Sequence, residues 1–461
     1  MAHSAQASQL VPAARPGGAA TLVLVGAGAF LATLDLFIVN IAFPDIRADF
    51  AGTTNTALSW VLNAYGIVFA ALLVPAGRLA DVYGRRRLFR LGMALFAVAS
   101  AGCAAAPSVP LLVGCRAVQA VGAALMVPTS LGLLLAAYPT ERHRRVVGLW
   151  AAIGATAAAC GPPIGGLLVQ ADWRWIFLVN LPVAVPAVLL SRRLPEPAQR
   201  HERGLPDLLG AAYLAVGIAA AVAALANATT WGVASARLWA CAVIAVAVLV
   251  AFVRRCATHP RPVIDLHLLR HRAFASATVA MACFYAGFGV MLLGGSLYLT
   301  QVWHLGSVRA GLEFAPGPVA AAAFAVLGAR LPVRRHLLAV IGSLAFAVAG
   351  ALWLVSLRPG AGYVTDFLPG LVICGIGVGL SQASILSAGA ATLPEHRYAT
   401  GTGVINTARQ VGSAVGVAIL VATLGAGLRP VDYRPAWVLL VACGLLAACF
   451  AAAITGAGDS D

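Results

Sequence analysis

Fourteen runs of predominantly apolar residues, each close to the length that crosses a bilayer, govern what this chain can become. They lie near 19–41, 58–80, 88–106, 109–135, 146–169, 175–191 and 207–226, then 237–253, 274–299, 309–330, 337–356, 367–391, 401–425 and 435–455. A membrane helix needs roughly 20 such residues. In hydrocarbon every backbone N–H and C=O must be satisfied within the protein, which a helix does internally. The runs therefore predict an all-α membrane protein. Composition agrees: 61% of the 461 residues are hydrophobic and 10% charged, against roughly a quarter charged in soluble domains. Abundant Ala and Gly suit closely packed membrane helices, because small residues let backbones approach.

A net charge of +15 raises the question of nucleic acid, but the basic residues form no single patch. All of them besides histidine are arginine, in short clusters between apolar runs. With the N-terminus inside, 22 arginines fall on the cytoplasmic side, seven outside, and two, Arg116 and Arg409, within spans. That asymmetry follows the positive-inside rule. It predicts a multi-pass protein with both termini cytoplasmic and no nucleic-acid partner. Losing one span would invert half the loops and spoil the pattern, whereas losing a pair would not. The runs 207–226 and 237–253 are each long enough to cross, which favours fourteen over twelve. The polar tail 1–18 precedes a run too long for a signal-peptide core, so that run is read as the first helix. The nine cysteines are scattered, all but Cys256 within spans, with neither metal spacing nor a disulfide framework. One H-x-x-x-H spacing occurs, His267 to His271, but it lies in a basic linker outside the runs. It has Leu268 where a zinc-enzyme helix carries Glu, which argues against a zinc-dependent membrane enzyme. The all-arginine, Ala-, Gly- and Val-rich usage suggests a high-GC bacterial genome.

Between the second and third runs lies GRLADVYGRRR, Gly77 to Arg87. It is a turn framed by Gly77 and Gly84, with a single acid, Asp81, followed by Arg85, Arg86 and Arg87. A weak echo follows later: Gly328-Ala-Arg-Leu, then Arg334 and Arg335, without the acid. The pair suggests a degenerate internal repeat. It divides the chain into six-helix bundles at 19–191 and 273–456, two inserted helices at 207–253, and a basic cytoplasmic linker at 254–272. The VIDLHLL core of that linker either lies along the membrane surface or is a plain flexible connector.

Asp35, in LATLDLFIVNIAFPDI, is the first intramembrane acid. A charge there costs several kcal/mol, about 2.5–3.5 even on permissive scales, and is a functional candidate by default. At ~1.5 Å per residue it lies ~24 Å above the cytoplasmic face, and Arg116, descending from the other side, ~9 Å below the outer face. In a core of ~30 Å the two reach nearly the same depth. They form either a fixed structural pair or a coupling pair. Burial disfavours the ionised form of a carboxylate and a nearby arginine favours it. A carboxylate whose arginine moves between those settings binds and releases a proton. Glu313 lies four residues after Arg309, as an interfacial pair or a ligand for cationic cargo. Asn406, Arg409 and Gln410 sit near the middle of the thirteenth run and are polar enough to face a cavity.

These motifs add up to a resemblance. The Gly77–Arg87 turn resembles the loop between helices 2 and 3 of the major facilitator superfamily, G-x-L-a-D-r-x-G-r-r. LDLFIVNIAFPDI, with Asp35, Asn40 and Pro44, resembles the helix 1 signature of that family's fourteen-helix drug:proton antiporters, although Phe37 replaces the usual Thr. SWVLNAYGI, with Trp60, Asn63 and Tyr65, resembles their helix 2. Arg116-x-x-Gln119-x-x-Gly122 resembles their helix 4 motif, with Ala120 where Gly is usual. CGPPIGG, with Gly161, Pro162, Gly165 and Gly166, is similar to their antiporter motif, with Ala157 replacing its leading glycine. DWRWIFLVNLP and INTARQVGSAVG resemble the elements of helices 6 and 13.

The resemblance implies two six-helix bundles rocking about a midplane cavity, with two helices inserted between them. It implies a monomer in the bacterial cytoplasmic membrane that exports antibiotic-like amphipathic compounds against proton flow and needs no cofactor. Asp35 and Arg116 would couple protons. Asn40, Asn63, Tyr65, Gln119, Glu313, Asn406, Arg409 and Gln410 are the candidates to line the cavity. The turn of Gly77, Asp81, Gly84, Arg85 and Arg86 would be a gate reaching across to the other half. The helix 5 Gly-Pro motif would bend its helix and bring the halves into contact. A proton-coupled importer of the same fold is the nearest rival. A polytopic enzyme would need clustered His, Asp or Cys at a membrane edge, and a channel or sensor would need pore loops or a soluble domain. The runs show no such cluster. The linker residues Cys256, His259, Asp265, His267 and His271 are spread along a segment without an enzyme motif, and neither pore loops nor a soluble domain is recognised.

Overall fold

The computed structural model describes residues 18–50, 52–139, 142–194, 207–232, 234–260, 262–358, 361–393, 398–424 and 429–454, and among them every regular element is helical. The expected tail before residue 18 lies outside the described residues. The first group comprises α1 (Gly18–Asp49), α2 (Asn55–Tyr83), α3 (Arg85–Ala104), α4 (Val109–Ala137) and α5 (His143–Val169), with two short helices, α6 (Trp175–Leu178) and α7 (Leu181–Leu190). Then come α8 (Leu208–Ala226), α9 (Ala228–Trp231) and α10 (Ala236–Thr258). The last group is α11 (Arg272–Leu297), α12 (Ser307–Phe314), α13 (Pro316–Arg330), α14 (Arg335–Ser356), α15 (Leu368–Ala391), α16 (Tyr398–Leu424) and α17 (Arg434–Ala452). Thirteen helical segments among the described residues are long and apolar enough to cross a membrane. The run near 146–169 forms α5, a continuous helix of 27 residues, in the fourteenth place. Pro44, Pro75 and Pro128 sit inside α1, α2 and α4 without ending them. In bundled membrane helices, neighbouring groups re-satisfy the carbonyls a proline frees.

Packing repeats between the two groups. α1 lies on α5, α2 on α4, α3 on α4 and on α7; correspondingly α11 lies on α16, α13 on α15, α14 on α15 and on α17. The repeat reaches single atoms. A Cβ on Gly92 would come within 2.7 Å of Gly122 O, and one on Gly122 within 2.6 Å of Phe96 N. In the second group a Cβ on Gly342 would come within 2.8 Å of Gly377 O, and one on Gly377 within 2.9 Å of Phe346 N. A glycine against a glycine, one turn before a phenylalanine, sets the same close crossing twice. The arginine-bearing turns obey the repeat too: Gly77 faces α4 at Pro128, and Gly328 faces α15 at Leu380.

The halves meet along two seams, α2 with α16 and α5 with α12 and α13. Across the first seam, Thr407 donates to Ala70 O at 3.3 Å. The inserted α8 covers that seam, packing on both α2 and α16, while α10 packs on α8 and exposes Trp239, Val243 and Val246. Residues of α2, α8, α10 and α16 share one apolar cluster, which also takes in Val263 of the linker. Within the linker Val263 and Leu268 are buried, and a short 3-10 turn, Leu268–Arg270, follows.

Asp207 caps α8 by accepting from Gly210 N at 2.8 Å and takes Arg255 Nε of α10 at 2.6 Å. Asp207→Ala is expected to lower stability by about 1–2 kcal/mol through the lost cap. The check is thermal unfolding in detergent, where an unchanged midpoint would deny the cap any weight.

Candidate functional site

The carboxylate Asp35 and the guanidinium Arg116 are both fully buried and in direct contact. Burying such a pair is tolerable only when its remaining polar atoms are also bonded. Arg116 Nη1 bonds Asp35 Oδ2 and also donates to Gln119 Oε1 at 2.6 Å, while Arg116 Nε donates to Val61 O at 3.0 Å. Gln119 Nε2 donates to Asp35 Oδ1 at 2.8 Å and to Ser100 Oγ at 2.9 Å. Ser100 Oγ also accepts from Asn180 Nδ2 at 3.3 Å, just before α7. The Tyr65 ring lies 4.3 Å from the Arg116 guanidinium carbon, and its hydroxyl donates to Ala32 O at 3.5 Å. Two buried atoms of this network, Arg116 Nη2 and Asn180 Oδ1, have no partner among the described residues.

Five helices of the first group thus converge on one ion pair. At the corresponding α15 positions, Leu371 and Cys374 are fully buried and apolar, although α14 and α15 cross by the same glycines. The fold therefore does not require charge at this depth.

Beside the network lies a small cavity, about 30 Å³, between the halves. Its walls come from α1 (Leu36, Asn40), α2 (Leu62, Asn63, Gly66), α11 (Tyr285, Phe288, Gly289, Leu292) and α16 (Gln410, Ser413, Ala414, Val417). A volume of that order holds a water and no drug-sized cargo. Asn63 Nδ2 is buried without a partner. At this level Ser296 Oγ of α11 donates to Asn40 O at 3.1 Å, and Phe37 meets Phe288 edge to face at 5.8 Å. The face of α1 that carries Leu36, Phe37 and Asn40 thus touches the other half, while Asp35 faces its own.

Asn40, Asn63 and Gln410 line this cavity. Gln119 and Tyr65 do not: both belong to the charge network, because Gln119 lies one turn after Arg116 on the same face of α4. Glu313 is also off the cavity wall. It accepts from Arg309 Nε at 2.7 Å in α12, the interfacial pair of the two readings. Asn406 Nδ2 turns back to Thr402 O at 2.9 Å. Arg409 lies 5.3 Å from the centre of the Tyr285 ring, and its buried Nε has no partner among the described residues.

Gly84, at φ 96°, ends α2 and begins α3, a backbone turn that strains any residue with a Cβ. The arginines after it bond carbonyls of the first half. Arg85 Nη1 donates to Gly132 O at 3.2 Å, and Arg86 Nη1 to Leu194 O at 3.0 Å, both in the first group. The side chains of Asp81 and Pro162 lie outside the described residues. The antiporter glycines also pack differently from expectation. A Cβ on Gly161 would meet Phe37 Cβ at 2.6 Å, and one on Gly165 would meet Ile38 Cγ1 at 2.9 Å. They hold α5 against α1, inside one half, while other parts of α5 meet α12 and α13. Gly166 is buried at the same end of α5.

Ser100, Asn180 and Val61 O are the members that reading the sequence missed. Asn180 lies in a motif read from the sequence but gave no sign of its direction, and Ser100 is an isolated hydroxyl in an Ala-rich helix.

Comparison with known proteins fits this geometry. The chain is 34% identical to multidrug resistance protein Stp of Mycobacterium tuberculosis over 88% of its own length and 76% of that protein's. It is 34% identical to puromycin resistance protein pur8 of Streptomyces alboniger, over 87% and 80% of the two lengths. It is 33% identical to the methylenomycin A resistance protein of Streptomyces coelicolor, over 87% and 84%. Its fold is similar to the crystal structure of a D-xylose-proton symporter, with a TM-score of 0.69 at 13% identity, covering 93% of this chain and 96% of that one. Residues 25–417 match the family model of the Major Facilitator Superfamily, and the chain belongs to that family.

Proposed function

We propose that this protein exports small hydrophobic or amphipathic compounds, antibiotics among them, across the bacterial cytoplasmic membrane in exchange for protons. Both termini would lie in the cytoplasm, and a single copy would suffice. Relatives named for resistance to multiple drugs, puromycin and methylenomycin A support the cargo class. One observation carries the coupling. The stretch of α1 from Asp35 to Ile41 is held on one side by the Arg116 network and behind by Gly161 and Gly165 of α5. On the remaining side it meets Phe288 and Ser296 of the second half. A change in the charge of Asp35 acts on the same helical turn that lines the cavity and seals the seam.

The chemistry follows from the bonds. When Asp35 takes a proton, its attraction for Arg116 collapses to that of a neutral hydrogen bond. The guanidinium still has Gln119 Oε1, Val61 O and the Tyr65 ring. It can therefore remain buried while α1 is released. Cargo would enter by widening the present cavity as the halves rock, with Asn63 and Gln410 presenting the polar contacts.

Gln410→Ala and Asn63→Ala are expected to lower export of individual compounds by about 2–10-fold, the worth of one hydrogen bond, and by different amounts for different compounds. A susceptibility panel including puromycin and methylenomycin A in an efflux-deficient host reads this directly. Uniformly unchanged resistance would remove cargo from this cavity.

A further inference from the structure

A cleft lies away from the seam, at the arginine-rich end of the first half. It encloses about 320 Å³ between α3 and the end of α7, and its lining is Arg87, Arg90 and Arg192 with Leu91, Ala94, Val188 and Leu189. All three arginines are exposed, and none pairs with a carboxylate among the described residues. Leu91 and Leu189 are also exposed, 51% and 62%, so the aliphatic floor opens onto the surface that faces lipid. The geometry is fixed from behind. Arg86 Nη1 donates to Arg192 O at 3.4 Å and to Leu194 O at 3.0 Å, tying the end of α7 to the start of α3. Three guanidiniums at one level above an apolar groove match the two parts of one class of molecule.

We propose that this cleft is a binding site for an anionic phospholipid, its phosphate held by Arg87, Arg90 and Arg192 and an acyl chain lying along Leu91, Ala94, Val188 and Leu189. Guanidinium recognises phosphate oxygens by charge-assisted, often forked hydrogen bonds. Each basic side chain near a membrane surface strengthens binding of anionic lipid by about fivefold. The neighbouring Arg85 does not join them, because it is bonded to Gly132 O of α4. The site needs no cargo and no proton, so it stands apart from the transport reading.

The test uses the full-length protein purified into detergent and exposed to mixed vesicles of phosphatidylglycerol and phosphatidylcholine, with bound lipid counted by native mass spectrometry. The wild type is expected to retain phosphatidylglycerol preferentially, and Arg87→Gln/Arg90→Gln/Arg192→Gln to lose at least about tenfold of that preference. A charge-matched control, Arg254→Gln/Arg270→Gln/Arg272→Gln, is expected to keep it. Equal loss in the control would mean diffuse surface charge and overturn the site. Displacement of the lipid by millimolar inorganic phosphate would mean a small-anion site and overturn it equally. Should the triple variant not fold, a photoactivatable phosphatidylglycerol on the wild type decides. Crosslinks must fall on the segments around 87–94 and 188–192, and crosslinks elsewhere reject the proposal.

Discussion

Asp35→Asn is expected to abolish transport driven by a pH gradient, reducing uptake of a fluorescent amphipath into inverted vesicles to the level of empty membranes. The same substitution should lower stability, because the buried guanidinium loses its charged partner and keeps only Gln119 Oε1, Val61 O and the Tyr65 ring. Removing one partner of a buried ion pair costs about 3–5 kcal/mol. Those effects must be separated, since a protein that fails to fold also fails to transport. The double variant Asp35→Asn/Arg116→Gln separates them. Replacing both members of a buried pair by neutral groups is often close to neutral for stability. Here Gln119, Val61 O and Ser100 remain to bond the two new amides. The double variant should therefore recover most of the lost melting temperature and none of the proton-driven transport. Recovery of both would reduce the pair to a structural tie. Full proton-driven export by Asp35→Asn alone would sink the coupling reading outright.

The Asp35–Arg116 contact was legible because a charge within an apolar run is costly, and two such charges at one depth have every reason to meet. The spans were legible for a related reason: in hydrocarbon, length and hydropathy decide nearly everything. What the sequence did not reveal was direction. α1 and α4 are apolar on almost every face, so their patterns do not say which side meets which neighbour. Gln119 was expected in the cavity and joins the ion pair, because its position one turn after Arg116 commits it to that face. Glu313, read either as the partner of Arg309 or as a ligand for cationic cargo, pairs with Arg309, since an acid four residues from an arginine in the same helix has the shorter path to a partner. The arginines after Gly84, read as part of a gate, bind carbonyls of their own half. Which of several nearby carbonyls a long side chain chooses depends on tertiary placement alone. The internal repeat was faint in the arginine turns, yet it is strong in the glycine crossings of α3 with α4 and α14 with α15. The interval between those glycines differs in the two halves, which hides the match from a linear reading.

The same kind of contact yields the second large effect. Gly412 and Gly416 lie one turn apart on α16, and a Cβ on either would collide with a backbone carbonyl of α11, Ala282 O and Ala286 O respectively. A backbone atom cannot swing aside as a side-chain tip can. Gly412→Ala/Gly416→Ala must therefore part the two helices by something on the order of 1 Å to regain van der Waals separation. Overpacking of this kind costs about 1–3 kcal/mol at each site, and two sites on one seam share their relief. A control substitution of the same chemistry, Gly114→Ala, meets nothing within 4 Å and should be neutral or slightly stabilising. The functional consequence exceeds the energetic one. α11 carries Tyr285, Phe288, Gly289 and Leu292 of the cavity, and α16 carries Gln410, Ser413, Ala414 and Val417, so parting these helices distorts two of the four walls without altering one lining side chain. Export should fall to background in the double variant even in lipid conditions that keep it folded, and stay at the wild-type level in Gly114→Ala. Gly161 and Gly165 hold α1 to α5 at the matching place in the first half. The cavity-lining helices α1 and α11 are thus fastened by glycine to α5 and α16 of their own groups. On the proposed mechanism each half would then move as a solid body when Asp35 takes a proton.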